Sequence, residues 1–315
     1  MTFSPVNWNI INDEVDKIVW DRMTSNFWLP EKIALSNDIP SWGKLTEEEH
    51  ERVMKVFAGL TLLDTLQANT GAVSLLQDAS TQQEEACFTF IAAMESIHAK
   101  SYSSIFMTLC SSQKVNEVFR WAETDDHLQF KAQMIDSWYK KSPLHKKAAS
   151  VLLESFLFYS GFYLPLKLSS QGQLTNTADI ISLIIRDEAI HGYYIGHKFQ
   201  QEFKKLSETE QYDFHVEVNM LLAELYDNEM RYTEKIYDGS GYTEDVKKFL
   251  NYNANKALHN LGFYSLYDKE ETDVSQEILS SLSAEQGGNH DFFSSSGSSY
   301  QMGTAEATED EDWDF

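Results

Sequence analysis

The octapeptide Glu95-Ser-Ile-His98-Ala-Lys-Ser-Tyr102 sets three side chains of different chemistry at helical spacing. Glu95 and His98 are three residues apart and Tyr102 lies four beyond His98, so on an α-helix all three leave one face within about two turns. A carboxylate offers hard oxygen and an imidazole borderline nitrogen, a mixture that suits iron or manganese better than the thiolate sets of structural zinc. Glu-x-x-His alone is a weak signal, because it also occurs on solvated faces as an exposed ion pair. A second copy changes the weighing. Asp187-Glu188-Ala-Ile-His191 repeats the spacing in a strongly apolar stretch, where a charged pair is costly to bury without a partner or a metal.

Two further acids sit in apolar fields. Asp64 lies within Leu60-Thr-Leu-Leu-Asp64-Thr-Leu-Gln67, and Glu154 within Leu152-Leu-Glu154-Ser-Phe-Leu-Phe158-Tyr-Ser-Gly-Phe162. A solvated surface acid fits neither setting, and a buried one needs a partner. Asp64, Glu95, Glu154 and Glu188 with His98 and His191 supply donors for two metal ions with positions left for water or dioxygen, the ligand set of ferritin-like di-iron and di-manganese carboxylate proteins. His50, His127, His145, His197, His215, His259 and His290 lack an acid three residues before them on a comparably apolar face and are read as surface or packing residues. An oxidised cluster one turn from Tyr102 is placed to take an electron and a proton from the phenol. The plainer alternative is a core tyrosine bonded to a ligand. Phe158 and Phe162, one and two turns past Glu154, and Ile184, one turn before Glu188, are placed to wall off that position.

These residues must be held by helices. Glycine and proline are scarce in the 315-residue chain and apolar residues repeat at helical spacing, so the class is all-α. Thr46-x-x-Glu49, Thr81-x-x-Glu84 and Ser207-x-x-Glu210 are capping boxes that open helices, the first running to about Gln77. Pro143 begins the helix of Glu154, residues 177–205 form that of Glu188, and residues 115–141 hold connecting helices in which Trp121 and Trp138 pack and nothing suggests chemistry. Asn26-Phe-Trp28-Leu-Pro30 marks a chain reversal, since proline disfavours helix at the residue before it. The run Val151–Leu168, broken by Glu154 and Pro165, reads as a buried helix rather than a membrane span.

A formal net charge of −24 argues against binding nucleic acid or anionic membrane. Cys87 and Cys110 read as free thiols of a reducing compartment, and the N-terminus has no signal-peptide pattern, so the cytoplasm is the expected address. Residues 1–262 are expected to form one helical domain. Residues 263–315, where apolar periodicity fades and Glu306-Ala-Thr-Glu-Asp-Glu-Asp-Trp313-Asp-Phe315 closes the chain, are expected to form a disordered acidic tail.

With Phe27-Trp-Leu-Pro-Glu, Leu-Leu-Asp64-Thr-Leu-Gln, the octapeptide, Arg186-Asp-Glu188-Ala-Ile-His191 and the acidic aromatic terminus together, the chain resembles the small, radical-generating subunit of class I ribonucleotide reductases, most closely class Ib, over essentially its whole length. The resemblance implies a ferritin-like bundle with additional helices, and a homodimer. It implies that Asp64, Glu95, His98, Glu154, Glu188 and His191 hold a dinuclear manganese or iron centre and that Tyr102 holds a stable radical. Trp28, Asp187 and His98 would relay that radical toward the large subunit, Tyr300 would carry it onward, and Trp313 and Phe315 would anchor the tail to that partner. Manganese loading by a flavodoxin-like activator is a further implication. No ligand position departs from the family pattern. Two rivals remain at this level: a di-iron oxygenase or oxidase of a small molecule, and an iron-storage ferroxidase. Neither needs the tail, so truncation after Tyr300 separates them from the reductase reading.

Overall fold

The computed structural model describes residues 4–285. Thirteen α-helices follow in order: α1 (Glu14–Ser25), α2 (Ile39–Trp42), α3 (Glu47–Leu66), α4 (Ala72–Leu76), α5 (Gln82–Leu109), α6 (Ser112–Thr124), α7 (Asp126–Tyr139), α8 (Pro143–Leu152), α9 (Tyr159–Ser170), α10 (Thr175–Phe203), α11 (Glu208–Ile236), α12 (Thr243–Asn260) and α13 (Gln276–Glu285). No strand occurs among the described residues. The capping boxes of Thr46 and Ser207 form as their sequences predict, each hydroxyl accepting from the backbone three residues on while the glutamate reaches back. Thr81 caps Glu84 N–H, but the Glu84 carboxylate turns to Ser80 instead.

Four long rods enclose the core. α3 packs on α5 and α9, and α10 packs on α5, α8 and α9. Close approach to α12 is possible because α10 carries glycine at 196, where a Cβ would stand 2.3 Å from the Asn260 carbonyl oxygen. The first turn of α10 is capped from outside. Leu174 precedes it in the left-handed region at φ 48° and offers no side-chain cap, and Asp38 instead accepts from Asn176 N–H at 3.1 Å, Thr177 N–H at 2.6 Å and Thr177 Oγ1 at 2.7 Å.

The rods that follow Asp64 and hold Glu154 are not regular. A π-helical turn, Gln67–Gly71, joins α3 to α4, and another, Leu153–Leu157, joins α8 to α9. The helix expected to run unbroken to Gln77 is therefore interrupted. Such wider turns concentrate at functional sites because they re-aim side chains within an otherwise rigid rod. The stretch Pro143–Ser170 is long and apolar enough to cross a membrane, and its apolar middle is buried among the other helices, as the sequence led us to expect of the run from Val151 to Leu168.

The chain stays packed beyond residue 262, where the tail was expected to begin. Val274 and Ile278 are buried, Lys167 pairs with Glu277 at 2.7 Å, and α13 lies on α9 and α10. Phe263, Tyr267, Val274, Ile278, Leu279 and Leu282 are placed to reach the bundle, which a periodicity argument over a long window does not register. Tyr300, Trp313 and Phe315 lie outside the described residues.

Candidate metal centre

α5 presents Glu95, His98 and Tyr102, and α10 presents Asp187, Glu188 and His191, while Asp64 comes from the end of α3 and Glu154 from the second π-helical turn. The six expected ligands are at most 1 % exposed. Their donor atoms form two groups, Asp64, Glu95, His98 and Glu188, then Glu95, Glu154, Glu188 and His191, with the atoms of each group within 4.8 Å of one another. Glu95 and Glu188 belong to both groups, which is the arrangement of two sites joined by two carboxylates. His98 Nδ1 lies 3.0 Å from Glu188 and 3.8 Å from Glu95; His191 Nδ1 lies 2.8 Å from Glu95, 3.3 Å from Glu188 and 3.6 Å from Glu154.

Both oxygens of Asp64, Glu95 and Glu188, Oε2 of Glu154 and Nδ1 of each histidine have no partner in hydrogen-bond geometry. Buried polar atoms are ordinarily satisfied, so orphans converging on one point call for a ligand. Oxygen and imidazole donors without sulfur suit manganese or iron, and two divalent ions would offset four carboxylates. The residues therefore fit a dinuclear centre.

The electrostatics agree. Burial, then the charges of Glu95 and Glu188, holds the Asp64 carboxyl well above its ordinary pKa, and burial with the charges of Glu188 and Glu95 does the same to Glu154. Burial alone would raise Glu188, but its close approach to the Glu154 carboxyl and to the His191 and His98 imidazoles outweighs that and moves it the other way. Burial pulls both imidazoles down, yet the bond to Asp187 and the nearby Glu188 carboxylate raise His98, and the surrounding Glu154, Glu188 and Glu95 carboxylates raise His191, well above the usual range. Without metal, the site keeps protons where the cations belong.

Tyr102 is fully buried and its hydroxyl has no partner in hydrogen-bond geometry. Burial, followed by the charges of Asp64, Glu188 and Glu95, pushes its pKa well up, so it stays a neutral phenol. Phe158, Phe162 and Ile184 are fully buried, with the two rings 5.8 Å apart. The ring lying on Tyr102 is Phe57, at 5.7 Å between centroids, which sequence reasoning missed. Its signal was there: Phe57 precedes Asp64 by seven residues, two turns along one face.

Trp28, Asp187 and His98 meet. The Trp28 indole N–H donates to Asp187 Oδ2 at 2.7 Å, the same oxygen is 3.2 Å from His98 Nε2, and the two rings stack at 6.0 Å. Arg186 holds the other Asp187 oxygen at 3.2 Å. Gln67, a residue no motif singled out for chemistry, donates to Glu154 Oε1 at 2.5 Å.

Comparison with known proteins supports the same assignment. Residues 5–275 match the family described as ribonucleotide reductase, small chain. The chain is 59 % identical to the ribonucleoside-diphosphate reductase subunit beta of Mycobacterium leprae, over 99 % of this chain and 96 % of that one. It is 56 % identical to ribonucleoside-diphosphate reductase 2 subunit beta of Escherichia coli K12, over 99 % and 98 %. The crystal structure of Streptococcus sanguinis dimanganese(II)-NrdF superposes with a TM-score of 0.87 at 48 % identity, covering 89 % of this chain and all of that one. Paired Glu-x-x-His helices, two shared carboxylates and a match across nearly the whole chain lead to one assignment: this protein belongs to the ribonucleotide reductase small-chain family.

Proposed function

We propose that the dinuclear centre of this small subunit generates a radical on Tyr102, which Trp28, Asp187 and His98 relay toward a large subunit that reduces ribonucleotides to deoxyribonucleotides. The observation that carries the reading is the pair of donor groups sharing Glu95 and Glu188 beside a phenol whose hydroxyl has no hydrogen-bond partner. Asp64, Glu95, His98 and Glu188 would hold one ion and Glu95, Glu154, Glu188 and His191 the other. Manganese or iron held there, once oxidised by dioxygen or a reduced-oxygen oxidant, would supply the one-electron oxidation of a nearby phenol.

The chain's own residues do the rest. Tyr102 would give up its electron to the oxidised centre and its hydroxyl proton toward the carboxylate cluster beside it. Phe57, Phe158, Phe162 and Ile184 keep water and reductants from the ring. In the relay, Asp187 manages the proton of the Trp28 indole and fixes the His98 ring through Nε2, leaving Nδ1 for the metal. Tyr300 continues the route, and Trp313 and Phe315 anchor the acidic tail on the large subunit. The subunit works as a homodimer in the cytoplasm, and a flavodoxin-like activator supplies oxidant for manganese loading.

Tyr102→Phe tests the reading. The variant takes up two metal ions per chain as the parent does, and after activation lacks the phenoxyl signal in electron paramagnetic resonance and all turnover with the large subunit. An unchanged signal would remove Tyr102 from this role.

A further inference from the structure

Glu154 differs from the other three carboxylates of the centre. Asp64, Glu95 and Glu188 each have both oxygens without a hydrogen-bond partner, whereas Glu154 has only Oε2 free, because Gln67 Nε2 donates to its Oε1 at 2.5 Å. An amide side chain has a donor end and an acceptor end, and nothing intrinsic to Gln67 decides which one faces Glu154. Its surroundings decide. The Tyr139 hydroxyl donates to Gln67 Oε1 at 2.6 Å, and Ser150 Oγ donates to the Tyr139 oxygen at 3.1 Å. Both hydroxyls can donate or accept, so the direction Ser150 to Tyr139 to Gln67 to Glu154 is set by its end, an ionised ligand carboxylate that only accepts.

All four residues are at most 3 % exposed, so solvent does not compete for these bonds. They come from α7, α8 and the two π-helical turns: Tyr139 ends α7, Gln67 opens the first turn and Glu154 lies in the second. Gly71, which closes the first turn, leaves the room. A Cβ there would stand 1.9 Å from Gln67 Oε1 and 2.8 Å from the Tyr139 hydroxyl, so any larger residue displaces the amide.

We propose that Gln67, oriented by Tyr139 and Ser150, is a positioning residue that holds Glu154 as a single-oxygen ligand through Oε2 and thereby sets the affinity of the ion shared with His191 apart from that of its neighbour. The proposal rests on the dinuclear reading of the centre. The Asp64 group has no such amide brace, and its histidine is fixed by Asp187 instead. Partners that orient ligands are typically worth about 10- to 100-fold in metal affinity. Here that factor falls on one site of the two.

The test is stepwise manganese(II) titration of the metal-free full chain, followed through the resonance of the free aqueous ion, with site occupancy assigned in crystals. Gln67→Met keeps the length and removes the donor. It is expected to weaken the ion held by Glu154 and His191 about 10- to 100-fold, with the other site within about threefold of the parent. Gly71→Ala, which moves the amide without removing it, should do the same. If either fails to fold, Tyr139→Phe, which deletes one hydroxyl, carries the test with a smaller loss at the same site. Two unchanged constants, or an equal fall at both sites, would overturn the proposal. A parent protein that takes up fewer than two ions would overturn the dinuclear reading itself, and the proposal with it.

Discussion

One oxygen of Asp187 serves both the Trp28 indole at 2.7 Å and His98 Nε2 at 3.2 Å, and Arg186 steadies the other. A residue that only oriented His98 would not need the indole. Asp187→Asn is nearly isosteric but cannot accept a proton as a carboxylate does. Its expected outcome is metal uptake within about tenfold of the parent, an intact Tyr102 signal, and turnover with the large subunit lowered about 100-fold or more, the usual worth of a positioned proton acceptor. Turnover within a few-fold of the parent would break the relay at this point. The six converging carboxylate and imidazole side chains were legible in the sequence because a three-residue spacing on a helix fixes a common face, and because an acid among leucines has few explanations. Gln67 and Tyr139 were not legible. An amide and a phenol have no spacing signature, and these two meet only when α7 folds against the turn after α3.

At the scale of elements, α10 shows what capping from a distance does. It carries three of the residues that matter most, Asp187, Glu188 and His191, yet its own sequence supplies no cap, since Leu174 stands where Ser, Thr, Asp or Asn would serve. Asp38, in the turn preceding α2, fills the vacancy with three bonds and is 2 % exposed. Sequence reading found the caps that lie within one local window, at Thr46 and Ser207, and could not find one contributed from far upstream. Asp38→Ala leaves two backbone N–H groups and the Thr177 hydroxyl without their acceptor. A loss of about 1–2 kcal/mol is expected, the upper range for a helix cap, measured by denaturant unfolding of the metal-free chain, with both ions still bound at saturating metal. The boundary at residue 262 has the same lesson in reverse. Val274, Ile278, Leu279 and Leu282 form a short apolar set in a polar stretch, too brief to stand out over a long window, but enough to seat α13.

For the molecule as a whole, the centre ties folding to metal and to pH. In the metal-free fold His98 and His191 have pKa values well above the ordinary 6.5, so their stabilising pairs with Glu188, Glu95 and Glu154 are fully present below about pH 6.5 and fade as pH rises through the folded values. Asp64 and Glu154 are also raised, so the metal-free fold binds more protons than the unfolded chain above about pH 4 and loses stability in the same direction. Glu188, lowered, contributes with the opposite sign, its share being lost only on acidification below about pH 4. From pH 6.5 upward the raised groups act alone. Metal-free protein should therefore melt at progressively lower temperature between pH 6.5 and 9, whereas metal-loaded protein, whose ligands are deprotonated throughout, should not share that slope. Loading at pH 6.5 should release about two or more protons per two ions, from His98 and His191 at least, because a ligating imidazole must be neutral. Calorimetric melts of both forms across this range, with proton release read in weak buffer, check the two halves together. A melting temperature of the metal-free form that holds level or climbs with pH would mean that protons do not occupy the place of the metals.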